Sequence, residues 1–262
     1  MPFQYKRVLL VGATAGIGAA MADKLIQEGS KVIAVGRRQD RLDAFIEKHG
    51  SSVASGIRFD TTDRDGMDSF VDKVLKDYPD LDCVFLNSGT QSQIRLSRPG
   101  EVDIAAFHNE MNTNFGSIVD LSLKFLHHLQ QKSYPTGLII TGTNLAIIPA
   151  VTIPAYSASK AALNAFVYCL RRQNQDKSTK IIELWPPVVQ TELHDYMGEE
   201  RGRALGMPVN EFVDKAYAGL VSGSDHVIIG SVGPEDLFLD IAHKRRQAFD
   251  SLSNIMLQHY EL

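Results

Sequence analysis

Lys6-Arg7-Val8-Leu9-Leu10-Val11-Gly12-Ala13-Thr14-Ala15-Gly16-Ile17-Gly18 runs from an apolar strand into a glycine-rich turn, and residues 17–28 continue with helical periodicity. A strand that turns through glycines into a helix is the opening unit of a parallel α/β sheet. In such sheets ligands bind beyond the carboxyl ends of the strands. Glycines there let the backbone approach a phosphate, and the next helix offers free N–H groups and the positive end of its dipole. Gly12, Gly16 and Gly18, with Ile17 between the last two, are therefore candidate phosphate-binding positions, and Thr14 adds a hydroxyl donor. The spacing is Gly-x3-Gly-x-Gly with no Lys-Ser/Thr after it, which excludes a nucleotide-hydrolase loop. The competing reading is a tight glycine turn that holds no ligand.

Outward from this stretch the alternation repeats. Strands are expected at 6–11, 31–35, 53–59, 83–86, 137–141, 180–185 and 226–229, and helices at 17–28, 40–48, 64–77, 101–131 and 155–175. Several strands are almost wholly apolar, as strands covered on both faces must be. The pattern predicts an α/β fold: a doubly wound parallel sheet of about seven strands with helices on both faces. No linker divides the chain, so residues 1–262 are read as one domain. Residues 189–208 break the alternation with Gly, charge and isolated large apolar groups. They form either a substrate lid or an ordinary pair of surface helices.

The composition is 44% hydrophobic and 22% charged, which suits a globular protein with a sizeable core. The 27 basic and 31 acidic residues leave a formal charge of −4, which argues against a nucleic-acid partner. The run Lys244-Arg245-Arg246 reads as a solvated helix face. Cys83 and Cys169 lie in apolar stretches and are expected to be buried free thiols rather than a disulfide. A strand begins within a few residues of the start, so no signal peptide is expected, and no apolar run reaches membrane-spanning length. The expectation is a cytoplasmic protein with a small-molecule substrate and no membrane partner. No Cys/His spacing suggests a metal, and the adjacent His127 and His128 do not share a helix face.

The second strand ends in Arg37-Arg38. An NAD site usually carries an acid here for the ribose 2′-hydroxyl. Two guanidinium groups instead suit a 2′-phosphate, so NADP(H) is the expected cofactor. The alternative is that both arginines are exposed loop charges. Asp40 is the nearest acid and is expected to serve as a helix N-cap.

Tyr156 and Lys160 stand four residues apart in Tyr156-Ser157-Ala158-Ser159-Lys160, on a predicted helix. Positions i and i+4 share a face, so a phenol and an ammonium enter the same cleft. With eight tyrosines in the chain the spacing alone is weak. It gains weight beside a phosphate loop, as a pair able to move a proton to or from an oxygen. A free Tyr titrates near ~10, and a neighbouring cation is expected to lower that value.

With these residues in place, the chain resembles the short-chain dehydrogenase/reductase family in its single-domain branch, a Rossmann fold, over nearly its whole length. Val11 to Gly18 match the family's Thr-Gly-x3-Gly-x-Gly loop, with Val11 for Thr. Phe59-Asp60-Thr61 resembles the segment that contacts the adenine. Leu86-Asn87-Ser88-Gly89 corresponds to Asn-Asn-Ala-Gly after the fourth strand. Asn114, in Asn112-Thr113-Asn114-Phe115-Gly116, is similar to the helix asparagine of the catalytic tetrad. Pro186-Pro187-Val188-Val189-Gln190-Thr191 resembles the Pro-Gly-x-Val-x-Thr segment at the nicotinamide end, so Pro186, Val189 and Thr191 become cofactor candidates. The resemblance implies Asn114, Thr143, Tyr156 and Lys160 as the catalytic set, with Asn114 anchoring a water-linked proton path and Lys160 also bonding the nicotinamide ribose.

Three departures stand out. Thr143 occupies the usual Ser position, with Thr141 as a fallback if the register slips by two. Its methyl group takes space and restricts χ1. Pro187 replaces Gly, which removes an N–H and fixes φ. Ser88 replaces Ala. The resemblance implies NADP(H)-dependent hydride transfer between nicotinamide and a carbonyl or alcohol carbon, in a homodimer or homotetramer formed through 101–131 and 155–175. Reduction of an activated C=C or C=N bond, or a non-catalytic dinucleotide sensor, are the alternatives. Leu193, Tyr196, Met197, Leu205 and Met207 are either pocket lining or ordinary packing, and Trp185 reads as core.

Overall fold

The computed structural model describes residues 4–258, so the first residues behind the expectation about a leader lie outside the described residues. Seven strands form one sheet: β1 (Arg7–Val11), β2 (Lys31–Gly36), β3 (Ala54–Arg58), β4 (Cys83–Leu86), β5 (Thr136–Thr141), β6 (Thr179–Trp185) and β7 (His226–Ile228). Their order is β3-β2-β1-β4-β5-β6-β7, and every pairing is parallel. The chain reverses its direction of growth between β1 and β4, and the crevice at such a switch point is where these sheets bind ligands.

Strand parity sorts the core. Val8 and Leu10 of β1 point to one face, with Phe85, Ile139 and Ile182. There they meet α1 (Gly16–Gln27) through Met21 and Leu25, and α8 (Val209–Val221) through Phe212 and Leu220. Leu9 and Val11 point to the other face, with Val84, Leu138 and Ile181. That face is covered by α3 (Met67–Asp77), α5 (Ser117–Gln130) and α6 (Pro154–Gln173), through Phe70, Phe125 and Leu163. Consecutive buried apolar residues, as in Val8 to Val11 and Cys83 to Leu86, are what two covered faces require. The sheet is the doubly wound one expected.

The remaining helices are α2 (Gln39–His49), α4 (Ile104–Met111), α7 (Glu199–Arg203) and α9 (Glu235–Leu257). The far end of α6 is tied to the sheet by Arg171, whose Nε donates to Ile181 O at 3.0 Å and Nη2 to Asp225 O at 2.8 Å. No helix among the described residues is long and apolar enough to cross a membrane.

Several expectations need correction. The expected helix 101–131 is α4, a π-helical turn at Asn112–Gly116, and α5. The expected start at residue 64 moves to Met67, because Asp63 Oδ1 accepts from Gly66 N at 3.0 Å and forms a turn first. Asp40 does not cap α2: Arg38 holds the N-cap position, and Asp40 sits exposed in the first turn, beside the positive end of the dipole. Cys83 is buried, but Cys169 is exposed, since α6 turns it outward between the buried Tyr168 and Leu170. Trp185 is fully buried.

Candidate active site

A cleft of about 510 Å³ opens at the carboxyl edge of the sheet, over the β1/β4 switch point. Its floor is the turn from β1 to α1. Gly12 (φ 87°) and Gly16 (φ 52°) take the left-handed backbone that only glycine adopts without strain. A Cβ on Gly12 would lie 2.7 Å from Ser88 N, and one on Gly18 would lie 2.0 Å from Gly12 O. Gly18 therefore closes the turn against its own strand, and Gly12, Thr14, Gly16 and Ile17 face the cleft. The residue before α1 is Ala15, extended and without a capping side chain, which leaves the first-turn N–H groups to whatever the cleft holds.

Asn87 braces the centre. Its Nδ2 donates to Gly12 O at 3.3 Å, and its Oδ1 accepts from Thr141 Oγ1 at 2.9 Å. One amide thus ties the ends of β1, β4 and β5. Ser88 and Gly89 follow along the cleft wall, and Ser88 Oγ is buried with no hydrogen-bond partner among the described residues.

At one end of the cleft lie Arg37, Arg38, Asp60 and Thr61. Burial would raise the Asp60 carboxyl, but Thr62, donating through its N–H and hydroxyl, and the Arg37 charge outweigh it and hold it below the usual range. Arg37 is 76% exposed and stands 3.8 Å from Asp60 Oδ2. Arg38 Nη1 meets Glu192 at 2.7 Å, and Arg41 Nη1 meets the same carboxylate at 2.7 Å.

At the other end α6 presents Tyr156 and Lys160, both buried and both lining the cleft. Pro154 at the first position of α6 starts the helix so that this face points inward. Thr143 stands beside the Tyr156 phenol and draws it downward, but it is absent from the cleft lining and its Oγ1 accepts from Leu145 N at 3.3 Å; Thr141 lines the cleft and donates its hydroxyl to Asn87. Lys160 Nζ donates to Thr141 O at 2.8 Å and lies 5.8 Å from the centroid of the Tyr156 ring. Burial lowers the Lys160 ammonium to about 8, with Glu183 opposing the shift. Burial likewise pushes the Tyr156 phenol well above its ordinary value, and Thr143 draws it part of the way back. The expectation that Lys160 lowers the phenol does not hold for the chain alone: the ammonium lies over the ring and is engaged by a carbonyl.

Asn114 sits in the π-helical turn, fully buried. Its Oδ1 accepts from Thr90 N at 2.8 Å, and its Nδ2 donates to Thr90 O at 2.8 Å and Ser159 Oγ at 3.2 Å. It lies behind the cleft wall and ties that wall to α6. Pro186 and Thr191 line the cleft, and Thr191 packs on Gly16. Val189 does not: it is 2% exposed, bridges to Met207 and belongs to the core. Pro187 faces Gly230 instead of the cleft. Of the apolar candidates in 189–208, Leu193 and Tyr196 line the cleft, whereas Met207 packs on the core and Met197 and Leu205 stay outside the lining. Glu192 and Arg41 are participants that the sequence reading missed; their pairing spans 151 residues and leaves no local signal.

The family comparison accords with this geometry. A family profile described as short chain dehydrogenase matches residues 6–202. An uncharacterised oxidoreductase of Bacillus subtilis (strain 168), DltE, is 32% identical over 84% of this chain and 86% of its own. A short-chain dehydrogenase from Sphingobium yanoikuyae, solved with NADPH, superposes with a TM-score of 0.79 at 20% identity, covering 98% of this chain and 96% of that one. A short chain dehydrogenase/reductase from Burkholderia phymatum, solved with NAD, gives 0.78 at 16% identity, covering 87% and 90%. With the glycine turn, the Asn87 brace and the Tyr156/Lys160 face assembled on one sheet edge, the chain belongs to the short-chain dehydrogenase family of oxidoreductases.

Proposed function

We propose that the protein is an NADP(H)-dependent oxidoreductase that interconverts a carbonyl and an alcohol on a small to medium, fairly apolar substrate. The observation that carries this reading is the pair Tyr156 and Lys160, buried on one face of α6 and both lining the cleft, 5.8 Å from ammonium to ring centroid. A hydroxyl and a cation then reach the reacting oxygen from one helix face, with the Thr143 side chain beside the phenol.

The residues present fit a dinucleotide. The first turn of α1 opens on the cleft without a capping side chain, and Ser88 Oγ is a buried hydroxyl in want of a partner. Gly12, Thr14, Gly16 and Ile17 would hold the phosphates at the N-terminus of α1. Asp60 and Thr61 border the adenine end; Asn87, Ser88, Gly89, Pro186 and Thr191 border the nicotinamide end. Arg37, with its largely free guanidinium, and Arg38 favour the 2′-phosphate. One of the two neighbours described above carries NADPH and the other NAD, so the preference rests on these arginines.

When bound, the nicotinamide supplies or accepts the hydride. Tyr156 delivers the proton to the forming alkoxide, or removes it in the reverse direction. Its phenol stays protonated in the chain alone, which suits the acid role in reduction. Thr143 holds the substrate oxygen. Lys160 spends one N–H on Thr141 O and keeps two for a ribose hydroxyl. Asn114 keeps the wall at Thr90 fixed relative to α6. The 189–208 segment serves as the lid, with Leu193 and Tyr196 as its apolar underside. Assembly as a cytoplasmic homodimer or homotetramer would cover Ile104 and Leu123, which are 64% and 52% exposed on α4 and α5.

NADPH absorbance followed across ketones, aldehydes, imines and enones tests the reading. Ketone or aldehyde turnover is expected, and Tyr156→Phe should reduce it by about 10²-fold or more. A Phe variant with full carbonyl reduction would end the acid role, and turnover confined to enones or imines would redirect the substrate class.

A further inference from the structure

Glu192 stands just after Thr191, where the 189–208 segment leaves the cleft. Its two carboxylate oxygens are taken by two different arginines, Arg38 at Oε2 and Arg41 at Oε1, each at 2.7 Å. Both arginines are anchored on the phosphate turn as well: Arg38 Nε donates to Thr14 Oγ1 at 3.3 Å, and Arg41 Nη1 to Thr14 O at 3.0 Å. Burial would raise the Glu192 carboxyl, but the hydrogen bonds from Arg38 and Arg41 outweigh it and hold it below the usual range, so the group is an anion at neutral pH. The turn that carries Glu192 also carries Leu193 and Tyr196 over the cleft, and Arg203 grips its Asp195 with two bonds of 3.0 and 2.8 Å. Residues 192–203 are therefore linked to the glycine turn through one carboxylate.

A bridging carboxylate and a ribose 2′-phosphate both offer anionic oxygens to guanidinium N–H groups, and here each arginine gives one Nη1 to one Glu192 oxygen. Two anions between the same arginines also repel each other. We infer that Glu192 is an internal stand-in for the 2′-phosphate, competing with it for Arg38 and Arg41 and setting the preference between phosphorylated and unphosphorylated dinucleotides. A dinucleotide without the phosphate leaves the bridge made and the 192–203 segment latched to the turn. A phosphorylated one takes the arginines and loosens the segment, which then keeps the Gln91–Tyr196 bond and the packing of Thr191 on Gly16 along the cleft. The inference rests on the cofactor reading above, because it needs a 2′-phosphate ligand.

Fluorescence titration of the full chain with NADPH and with NADH, in wild type and in Glu192→Gln, tests it. Gln keeps the size and removes the charge. The ratio of NADPH to NADH affinity should rise about tenfold in the variant. An unchanged or lower ratio would overturn the stand-in, and would mean that Glu192 orients the arginines. The two readings fail separately. Wild type that binds both cofactors equally contradicts the NADP preference, while a rise in Glu192→Gln still supports the stand-in. Wild type that prefers NADPH with a ratio unmoved by the variant removes the stand-in alone. A second measurement uses wild type only. Trypsin should cut at the exposed Arg201 and Arg203 about threefold faster with saturating NADP⁺ than with saturating NAD⁺. Equal rates, or stronger protection by NADP⁺, count against loosening of the segment.

Discussion

Lys160 is 3% exposed, and its ammonium is lowered by burial to about 8. A lysine with a depressed value is charged below that pH and neutral above it. Carbonyl reduction under saturating NADPH should therefore hold steady up to about pH 7 and fall as the pH passes through about 8, the first limb being loss of the ammonium. A rate profile that stays flat to pH 10 would show that the charge is not used. The shared face of Tyr156 and Lys160 was legible in their i, i+4 spacing, and both line the cleft, whereas Asn87 and Thr143 were named only by the family resemblance, and of these Asn87 lines the cleft. Glu192 and Arg41 were not legible, because their pairing depends on how distant loops meet. Val189 was misread for a related reason: its bridge to Met207 turns it into the core, and no pattern within the segment announces that.

Among the elements, the β1 turn and α1 depend on one close approach. A methyl group at Gly18 would meet the backbone oxygen of Gly12 at 2.0 Å and Asn87 Nδ2 at 2.8 Å, and backbone cannot rotate away as a side chain can. Gly18→Ala should cost about 3 kcal/mol, seen as a lower denaturant midpoint with an unchanged slope. A midpoint equal to wild type would mean that α1 shifts freely on the sheet. The existence and type of these elements were readable from periodicity, but their limits were not. The apolar pattern across 101–131 is continuous enough to read as one helix. The wide turn at Asn112–Gly116 arises because the side chain of Asn114 finds its partners on Thr90 and Ser159, which are tertiary neighbours. Likewise Asp40 looked like a cap from its type, but the chain enters α2 at Arg38, two residues earlier.

For the molecule as a whole, the proposed cofactor would touch turns after β1, β2, β3, β4 and β6, so binding should resist unfolding of the entire sheet. At about 100 times Kd, NADP⁺ should add ~2.7 kcal/mol and raise Tm by roughly 5–10 °C. NAD⁺ at the same concentration should raise it less. A thermal melt unmoved by either dinucleotide would contradict the cofactor reading. Parallel layering was visible in the apolar strands, but the order of the strands was not, since it is set by crossovers and not by local pattern. The clamp at the far end of α6 has a mechanical consequence. Arg171 fixes that end to Ile181 O and Asp225 O, and Tyr156 lies fifteen residues away, a rigid arm of about 22 Å. A tilt of about 3° at the clamp swings the phenol by roughly 1 Å, a displacement large enough to misplace a reacting group. Precision in the cleft is thus partly a matter of leverage, set by an arginine that never enters it.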